Sequence, residues 1–335
     1  MLIVTRSYPR AALVGNPSDG YFGKTIAFVF SNFRVEVTLW ESPELEILPS
    51  DRDKSVYASV DQLVEDIRIQ GYYGGIRLLK AAIKRFFEYC KVESIAIDKR
   101  NFTLRYDTTI PYRLGLAGSS AIITACMRGL MQFYEVAIPK PQLANLILSA
   151  EKDELHIEAG LQDRVAQVYQ GLVFMDFDRT IMEKQGYGNY VPLETGLLPS
   201  LYIAYRTGLA EGSEVTHNDL RERYNRGDGD VLNAMAQCAK LAEQVRALLE
   251  AERGAEIAAL LNRNFDLRRS ILKISDGNLQ MVEAARSVGA SANFTGSGGA
   301  IIGTYTDEAM YECLKTTLSA IGIKVIKPEI VPMAD

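Results

Sequence analysis

Hydrophobic and polar positions along the chain follow two periods, and together they predict both strands and helices. From Phe33 to Trp40 the apolar residues Val35, Val37 and Leu39 alternate with polar ones. From Asn101 to Ile110 the same alternation recurs at Phe102, Leu104, Tyr106, Thr108 and Ile110. A period of two places each set on one face of a half-buried strand. Thr25 to Phe30 reads as a further strand, and Arg10 to Val14 leads into a turn at Gly15-Asn16-Pro17-Ser18-Asp19-Gly20. Helical spacing covers Asp61 to Gln70 and Gly75 to Cys90, and the apolar stretch Ile122 to Tyr134 forms a helix that is buried. Pro141 opens another helix that runs to about Glu154, and Leu161 to Tyr169 forms a short one. Gly171 to Phe177 is a strand. Gly186 to Pro199, rich in glycine, proline and polar residues, predicts a linker. Beyond it, Leu201 to Tyr205 is a strand, and Asp230 to Leu261 and Asn264 to Ser287 are mostly helical. Ala300 to Tyr305 and Ile323 to Ile326 are strands flanking a helix over Glu308 to Ala320.

Strands and helices mix here without strict alternation. That favours α+β layers in both halves over a doubly wound sheet. Cut at the linker, the chain divides into a domain of residues 1–190 and a domain of residues 191–335. Composition narrows the picture further. At 335 residues, 47% hydrophobic and 24% charged, the chain has the make-up of a globular protein. A net charge of -5 argues against nucleic acid or an anionic membrane as the main partner. No apolar run is long enough to span a bilayer, and the N-terminus is too short and too mixed for a signal peptide. Cys90, Cys126, Cys238 and Cys313 show neither metal nor disulfide spacing, and three of them fall in apolar helical patterns. They predict reduced, buried thiols in a cytoplasmic protein. Two histidines, His156 and His217, make a histidine-based metal centre improbable.

The chemistry lies in two glycine clusters and a few acids. Leu114-Gly115-Leu116-Ala117-Gly118-Ser119-Ser120-Ala121 stands directly before the apolar helix. Small residues let backbone approach a ligand closely, and either serine can cap the helix. A helix start aims free N–H groups outward and suits phosphate. The same run also reads as an ordinary capped helix after a turn. It is not a Walker A loop, because the closing Gly-Lys-Ser/Thr is missing. A second cluster, Thr295-Gly296-Ser297-Gly298-Gly299-Ala300, joins a helix to a strand in the other half. Two such loops in one chain suggest a bound nucleotide. Mg²⁺ on a nucleotide takes one or two carboxylates or hydroxyls plus phosphate oxygens, which Glu151 and a loop serine can provide. An acceptor hydroxyl needs a base, and Asp163 is the candidate. Arg10 and Asp19 bracket the N-terminal turn, where an arginine can neutralise developing charge and an aspartate can accept sugar hydroxyls.

On these residues the chain resembles the GHMP kinases, the superfamily of galactokinase, homoserine kinase, mevalonate kinase and phosphomevalonate kinase. Three motifs occur in the family order. The first is Arg10 through Asp19, with the basic residue five before Gly15 and nine before the sugar-binding aspartate. The second is the phosphate loop, Pro111 through Ala121, and the third, Thr295 through Ala300, braces that loop in the family. Glu151 and Asp163, twelve residues apart, match the family's Mg²⁺ glutamate and catalytic aspartate. The loop departs from the commonest Gly-Leu-x-Ser-Ser by one extra residue, which looks like the branch that phosphorylates fucose and heptoses at the anomeric position. It leaves Ser119 and Ser120 both open as metal ligands. Four longer stretches, Gly15 to Gly23, Gly71 to Leu79, Gly160 to Tyr169 and Asn262 to Arg269, resemble plant-type glucuronokinases.

The resemblance implies a two-domain GHMP kinase fold. Its N-terminal domain would be like ribosomal protein S5 domain 2, and its C-terminal domain ferredoxin-like. It implies transfer of phosphate from ATP, with Mg²⁺, to the anomeric hydroxyl of D-glucuronate, giving a 1-phosphate that feeds UDP-glucuronate synthesis. Catalysis would fall to Asp163 and Arg10. The ATP phosphates would lie on Gly115, Leu116, Ala117, Gly118, Ser119, Ser120 and Ala121, with Gly296, Ser297 and Gly298 behind them. The metal would take Glu151 and a loop serine. The sugar would meet Asp19, Tyr21, Tyr73 and Gly74, and its carboxylate would pair with a cation, Arg164 or Lys24. A kinase for galacturonate, arabinose, fucose or a heptose shares the same motifs. A non-catalytic sensor of this fold would be expected to lose the base or the metal carboxylate, and both are present.

Overall fold

The structure, a computed structural model, describes residues 1–53, 58–64, 74–112, 114–206 and 213–333. The chain forms two compact units that interleave along the sequence. The first comprises Met1–Pro9, Phe33–Ile110 and Ala117–Ala159. It holds a four-stranded sheet of β1 (Leu2–Ser7), β4 (Val35–Ser42), β6 (Asn101–Thr108) and β5 (Glu46–Leu48), in that order, with β5 parallel to β6 and the other pairs antiparallel. Helices α1 (Gly75–Val92), α2 (Gly118–Phe133) and α3 (Lys140–Lys152) complete it. The side chains inside β4 and β6 are those that the alternation predicts: Val35, Val37, Leu39, Phe102, Leu104 and Tyr106 are all buried. α2 lies on β1 and β4, where Thr5 Oγ1 donates to the Ala125 carbonyl at 2.7 Å.

The second unit comprises Arg10–Asn32, Pro111–Leu116 and Gly160–Asp335. One of its sheets is antiparallel, in the order β2 (Arg10–Val14), β3 (Lys24–Val29), β7 (Leu172–Asp176) and β8 (Asn189–Leu193). The other runs β10 (Asn293–Phe294), β11 (Ala300–Thr304), β9 (Leu201–Arg206) and β12 (Ile323–Ile326), also antiparallel. Helices α4 (Gln162–Tyr169), α5 (Arg179–Gln185), α6 (Ser213–Asn225), α7 (Gly229–Glu250), α8 (Ala258–Ile271), α9 (Asp276–Ser287) and α10 (Glu308–Ser319) belong to this unit. Phe265, Met281, Phe294, Ile301 and Leu314 pack around Tyr202 as the core of the β9–β12 sheet. α7 packs on β3, and α8 on β10 and β2, so helices from the last third of the chain support strands from its first thirty residues.

Several expectations change. The linker over Gly186 to Pro199 contains a strand, β8, paired along its length with β7. Pro192 fits because β8 is the edge of its sheet, where a missing N–H costs nothing. β1 and α6 have no counterpart in the sequence reading. β1 alternates, but it turns Leu2 and Val4 outward and buries Thr5 and Ser7 beside Ile3, so its sequence carries no clean apolar face. Of the helix expected over Asp61 to Gln70, residues 61–64 are described and are helical; residues 65–70 lie outside the described residues. Neither serine of the glycine loop caps α2. The cap is Ala117, in the left-handed region at φ 59°, and both serines lie inside the first turn. Cys90, Cys126 and Cys238 are buried free thiols, and Cys313 is exposed.

Candidate active site

In the second unit, buried Arg10 on β2 reaches the first turn of α4. Its Nε donates to Asp163 Oδ1 at 2.8 Å and its Nη2 to the same oxygen at 2.5 Å. Nη1 donates to the carbonyls of Gly115, at 3.3 Å, and of Thr295. One side chain thus ties the candidate base to the second and third motifs. A guanidinium has five N–H donors; among the described residues four are accounted for, which leaves one on Nη2. Asp163 keeps 20% of its side chain exposed. Its other oxygen lies 3.3 Å from Arg164 Nη1, which also donates to the Gly160 carbonyl at 2.7 Å.

Asp19 lies in a short 3₁₀ turn, Ser18–Tyr21, that follows the Asn16–Pro17 cis peptide. Gly160 lies against it: a Cβ there would meet Asp19 Oδ2, so a larger residue would push that carboxylate aside. Burial, and then the negative charge of Asp163, push the Asp19 carboxyl up to about 6, with Arg10 opposing. Its protonation therefore changes in the working pH range. If Asp19 accepts sugar hydroxyls as a carboxylate, kcat/KM for the sugar falls as pH drops through about 6. The fall approaches tenfold per unit at the acid end, as the ionised fraction does. For stability the sign is opposite. A raised acid pKa contributes stability that is complete below the unfolded value of 3.8 and lost as pH rises through about 6. Asp19→Asn is thus expected to flatten the acid limb of the profile and, at pH 7.5, to melt no lower than the wild type. Steady-state pH profiles and melting curves of both proteins check this.

The third motif packs backbone against backbone on Gly115. That glycine has φ 62°, and a Cβ on it would lie 2.9 Å from both the Gly298 carbonyl oxygen and the Ser297 nitrogen. A Cβ on Gly296 would collide with the Gly115 carbonyl. Behind the motif stands Arg268 on α8, 2% exposed, donating to the Gly296 carbonyl at 2.7 Å and the Ser297 carbonyl at 3.3 Å. Burial pushes its guanidinium down to about 10. One turn earlier, Asn264 Oδ1 accepts the Gly15 N–H at 2.5 Å, and its amide donates to the Asn16 carbonyl at 2.8 Å. Asn264 and Arg268 hold the first and third motifs in place, and neither was expected as a site residue. Their signal was available: two polar residues four apart on the face of a helix otherwise carrying Leu261, Phe265 and Leu267.

In the first unit, the hydroxyl of Ser119 donates to Glu151 Oε1 at 2.7 Å, and Glu151 is fully buried in α3. Ser120 instead turns back to the Ala117 carbonyl at 3.1 Å. Leu116 and Ala121 of the loop are buried. A hydroxyl and a carboxylate are the hard oxygen donors that Mg²⁺ takes. Among the described residues no group of three or more His, Cys, Asp or Glu could hold a metal, so phosphate and water oxygens would supply the other ligands. Gly74 caps the start of α1, where Asp53 Oδ1 accepts the Gly75 N–H at 2.8 Å. Tyr73 lies outside the described residues.

Two expected sugar contacts are engaged elsewhere. Tyr21 is buried against Leu220, Val231 and Met235, with the Tyr224 ring 4.6 Å away. Lys24 lies between Asp176 at 3.1 Å and Glu243 at 2.5 Å, and these acids hold its ammonium above the usual lysine range. No described helix is long and apolar enough to cross a membrane.

Residues 77–171 match the family described as GHMP kinases N terminal domain. Over 304 residues the chain is 47% identical to "Probable glucuronokinase 2" of Arabidopsis thaliana, covering 89% of this chain and 82% of the relative. It is 44% identical over 303 residues to glucuronokinase 1 of the same plant, covering 89% and 83%. Its fold is similar to that of Streptococcus pneumoniae phosphomevalonate kinase in complex with phosphomevalonate and AMPPNP. The TM-score there is 0.76 at 14% identity, covering 98% of this chain and all of the other.

Proposed function

The chain belongs to the GHMP kinase family, and on that premise we propose that it phosphorylates D-glucuronate at the anomeric hydroxyl with ATP, releasing glucuronate 1-phosphate and ADP. The relation to the Arabidopsis glucuronokinases supports the substrate. The observation that carries the chemistry is the Arg10–Asp163 pair fixed to the Gly115 and Thr295 carbonyls. It sets a carboxylate base and a cation on the two glycine motifs of a phosphoryl transferase.

Asp163 accepts the anomeric proton, and Arg10 orients it. The one N–H left on Arg10 Nη2 is available to the attacking oxygen. Anomeric hydroxyls are more acidic than ordinary alcohols, so a carboxylate suffices as base near neutral pH. Asp19 accepts ring hydroxyls. The ATP phosphates take the backbone N–H groups of the Gly115–Ala121 loop at the start of α2. Family members of this kind use ATP with Mg²⁺, which neutralises charge on the transferred phosphate. Ser119 and Glu151 would hold it here.

Glu151→Gln is accordingly expected to raise the Mg²⁺ concentration for half-maximal rate by on the order of tenfold or more, since even an outer-shell partner is worth that much. The glucuronate KM should change little. Ser119→Ala should shift the metal dependence in the same direction and more mildly, and Ser120→Ala should leave it in place. Titrating Mg²⁺ at saturating sugar and ATP separates the three variants. An unchanged metal dependence in Glu151→Gln and Ser119→Ala removes both from the metal shell.

We also propose the division into domains of residues 1–190 and 191–335, except that the end of β8, to Leu193, goes with the first domain, whose sheet it completes. It is supported by the strands: those of two sheets all precede residue 194, and those of the third all follow residue 200. The substrate is tested by ADP release with glucuronate, galacturonate, glucose and arabinose. Glucuronate should give the highest kcat/KM, and ³¹P spectra should show a 1-phosphate. A higher kcat/KM for another sugar overturns the choice of substrate.

A further inference from the structure

A uronate brings a carboxylate to a site whose sugar acceptor and base, Asp19 and Asp163, are both acids. A cation has to meet it, because an unpaired anion beside like charges is strongly disfavoured. Most of the nearby cations are already committed. Arg10 and Arg164 both contact Asp163. Lys24 is held by two acids. Arg268 is buried and turned to the third motif.

Arg221, on α6, differs from all of these. It is exposed, and its Nη1 donates to the Gly20 carbonyl at 2.7 Å. Its guanidinium carbon lies 4.3 Å from the centre of the Tyr21 ring. Both partners are neutral, and among the described residues Arg221 makes no ion pair, so none of them compensates its charge. The approach is close: a Cβ on Gly20 would come within 3.2 Å of Nη2. The carbonyl and the ring therefore fix the guanidinium at the Gly20–Tyr21 peptide, one residue beyond Asp19. Among the described residues one of its five donors is spent, which leaves N–H groups for an oxyanion, and a planar fork is the group that suits a carboxylate. The packing of Tyr21 acquires a purpose in this arrangement: its ring is the platform on which the arginine is oriented.

We propose that Arg221 reads the carboxylate of the uronate, and that Gly20 and Tyr21 position it to do so. The inference rests on the functional reading above, with Asp19 on the sugar. The test compares kcat/KM for glucuronate and for glucose, at saturating ATP, in the wild type, Arg221→Gln and Arg221→Lys. In Arg221→Gln the ratio of glucuronate to glucose should fall by about 10- to 100-fold, mainly through KM for glucuronate, as expected for loss of one charge-assisted contact. Arg221→Lys, which keeps the charge and loses the fork, should recover part of it. Equal losses on both sugars would mean that Arg221 only braces the turn, and no loss on either would mean that it does not face the substrate; both results overturn the proposal. If glucose turns over too slowly to measure, calorimetry of glucuronate binding in the presence of ADP decides, and an unchanged Kd in Arg221→Gln rejects it. The wild type separates the two readings. A wild type that ignores glucuronate but uses a neutral sugar fails the functional reading. A wild type that prefers glucuronate, with an unchanged ratio in Arg221→Gln, fails this inference alone.

Discussion

Asp163→Asn is expected to keep its fold and its affinity for ATP and to lose roughly 10²- to 10⁴-fold in kcat, the range for a positioned general base. The substitution is nearly isosteric. The Asn oxygen can still accept from Nε and Nη2 of Arg10, the two bonds that Asp163 Oδ1 makes now. What it cannot do is take a proton. The amide would also face Arg164 Nη1, 3.3 Å from the present Oδ2, donor against donor. That is a modest cost at a side chain with one-fifth of its surface exposed. A second readout identifies the variant. The charge of Asp163 is one of the causes that hold the Asp19 carboxyl up, so neutralising it should move the acid limb of sugar binding below pH 6. Steady-state kinetics, nucleotide calorimetry and a pH profile of sugar binding measure the three effects. A folded Asn variant with wild-type kcat excludes Asp163 as the base.

Much of the fold could be read from the chain because its inner strands obey a simple rule. β4 buries one residue in two, and in β6 the alternating apolar residues Phe102, Leu104 and Tyr106 are likewise inside, with Thr103 buried between them. β1 alternates just as regularly, but the residues it buries are mostly polar. Its inward residues are Ile3, Thr5 and Ser7, and Thr5 is satisfied by a carbonyl 120 positions away. No local pattern carries such a partner. The short polar helix α6 is hidden for a related reason: of its residues Leu220 is fully buried, against Tyr21 and Val231, and the helix has no apolar stripe of its own.

The candidate site divides in the same way. Glycines, serines and acids at fixed spacing marked the three motifs, since backbone approach and phosphate binding restrict which residues can stand there. The partners of each cation were not legible. Lys24 looked free beside the first motif, and its acids come from residues 176 and 243. Arg164 adjoins Asp163 in sequence and also touches it in space, so a side chain considered for the substrate carboxylate is partly spent on the base. The choice between Ser119 and Ser120 likewise depended on the turn of α2, because the helix starts at Gly118 and directs only the first of them to Glu151.

Gly296→Ala is expected to be the most damaging single methyl that the glycine motifs can receive. A Cβ at that position meets three atoms: the Gly115 carbonyl oxygen, in collision, and Arg10 Nη1 and the Gly115 carbonyl carbon, each at 3.0 Å. Two of these are backbone and cannot rotate away. The motif cannot retreat either, because Arg268 holds the Gly296 and Ser297 carbonyls from the other side. Gly115 has to give, and with it the start of the phosphate loop and the carbonyl that accepts from Arg10. Overpacking of this kind typically costs about 1–3 kcal/mol of stability. The larger effect should be functional: a rise of roughly tenfold or more in KM for ATP together with a fall in kcat, since displacements near 1 Å can cost on the order of 100-fold in rate. Gly196→Ala is the control, because a Cβ there meets nothing within 4 Å. Its kinetics should match the wild type, with melting within about 0.5 kcal/mol. A Gly296→Ala protein with wild-type KM for ATP and wild-type kcat would show that the third motif does not brace the loop on which the phosphates are placed.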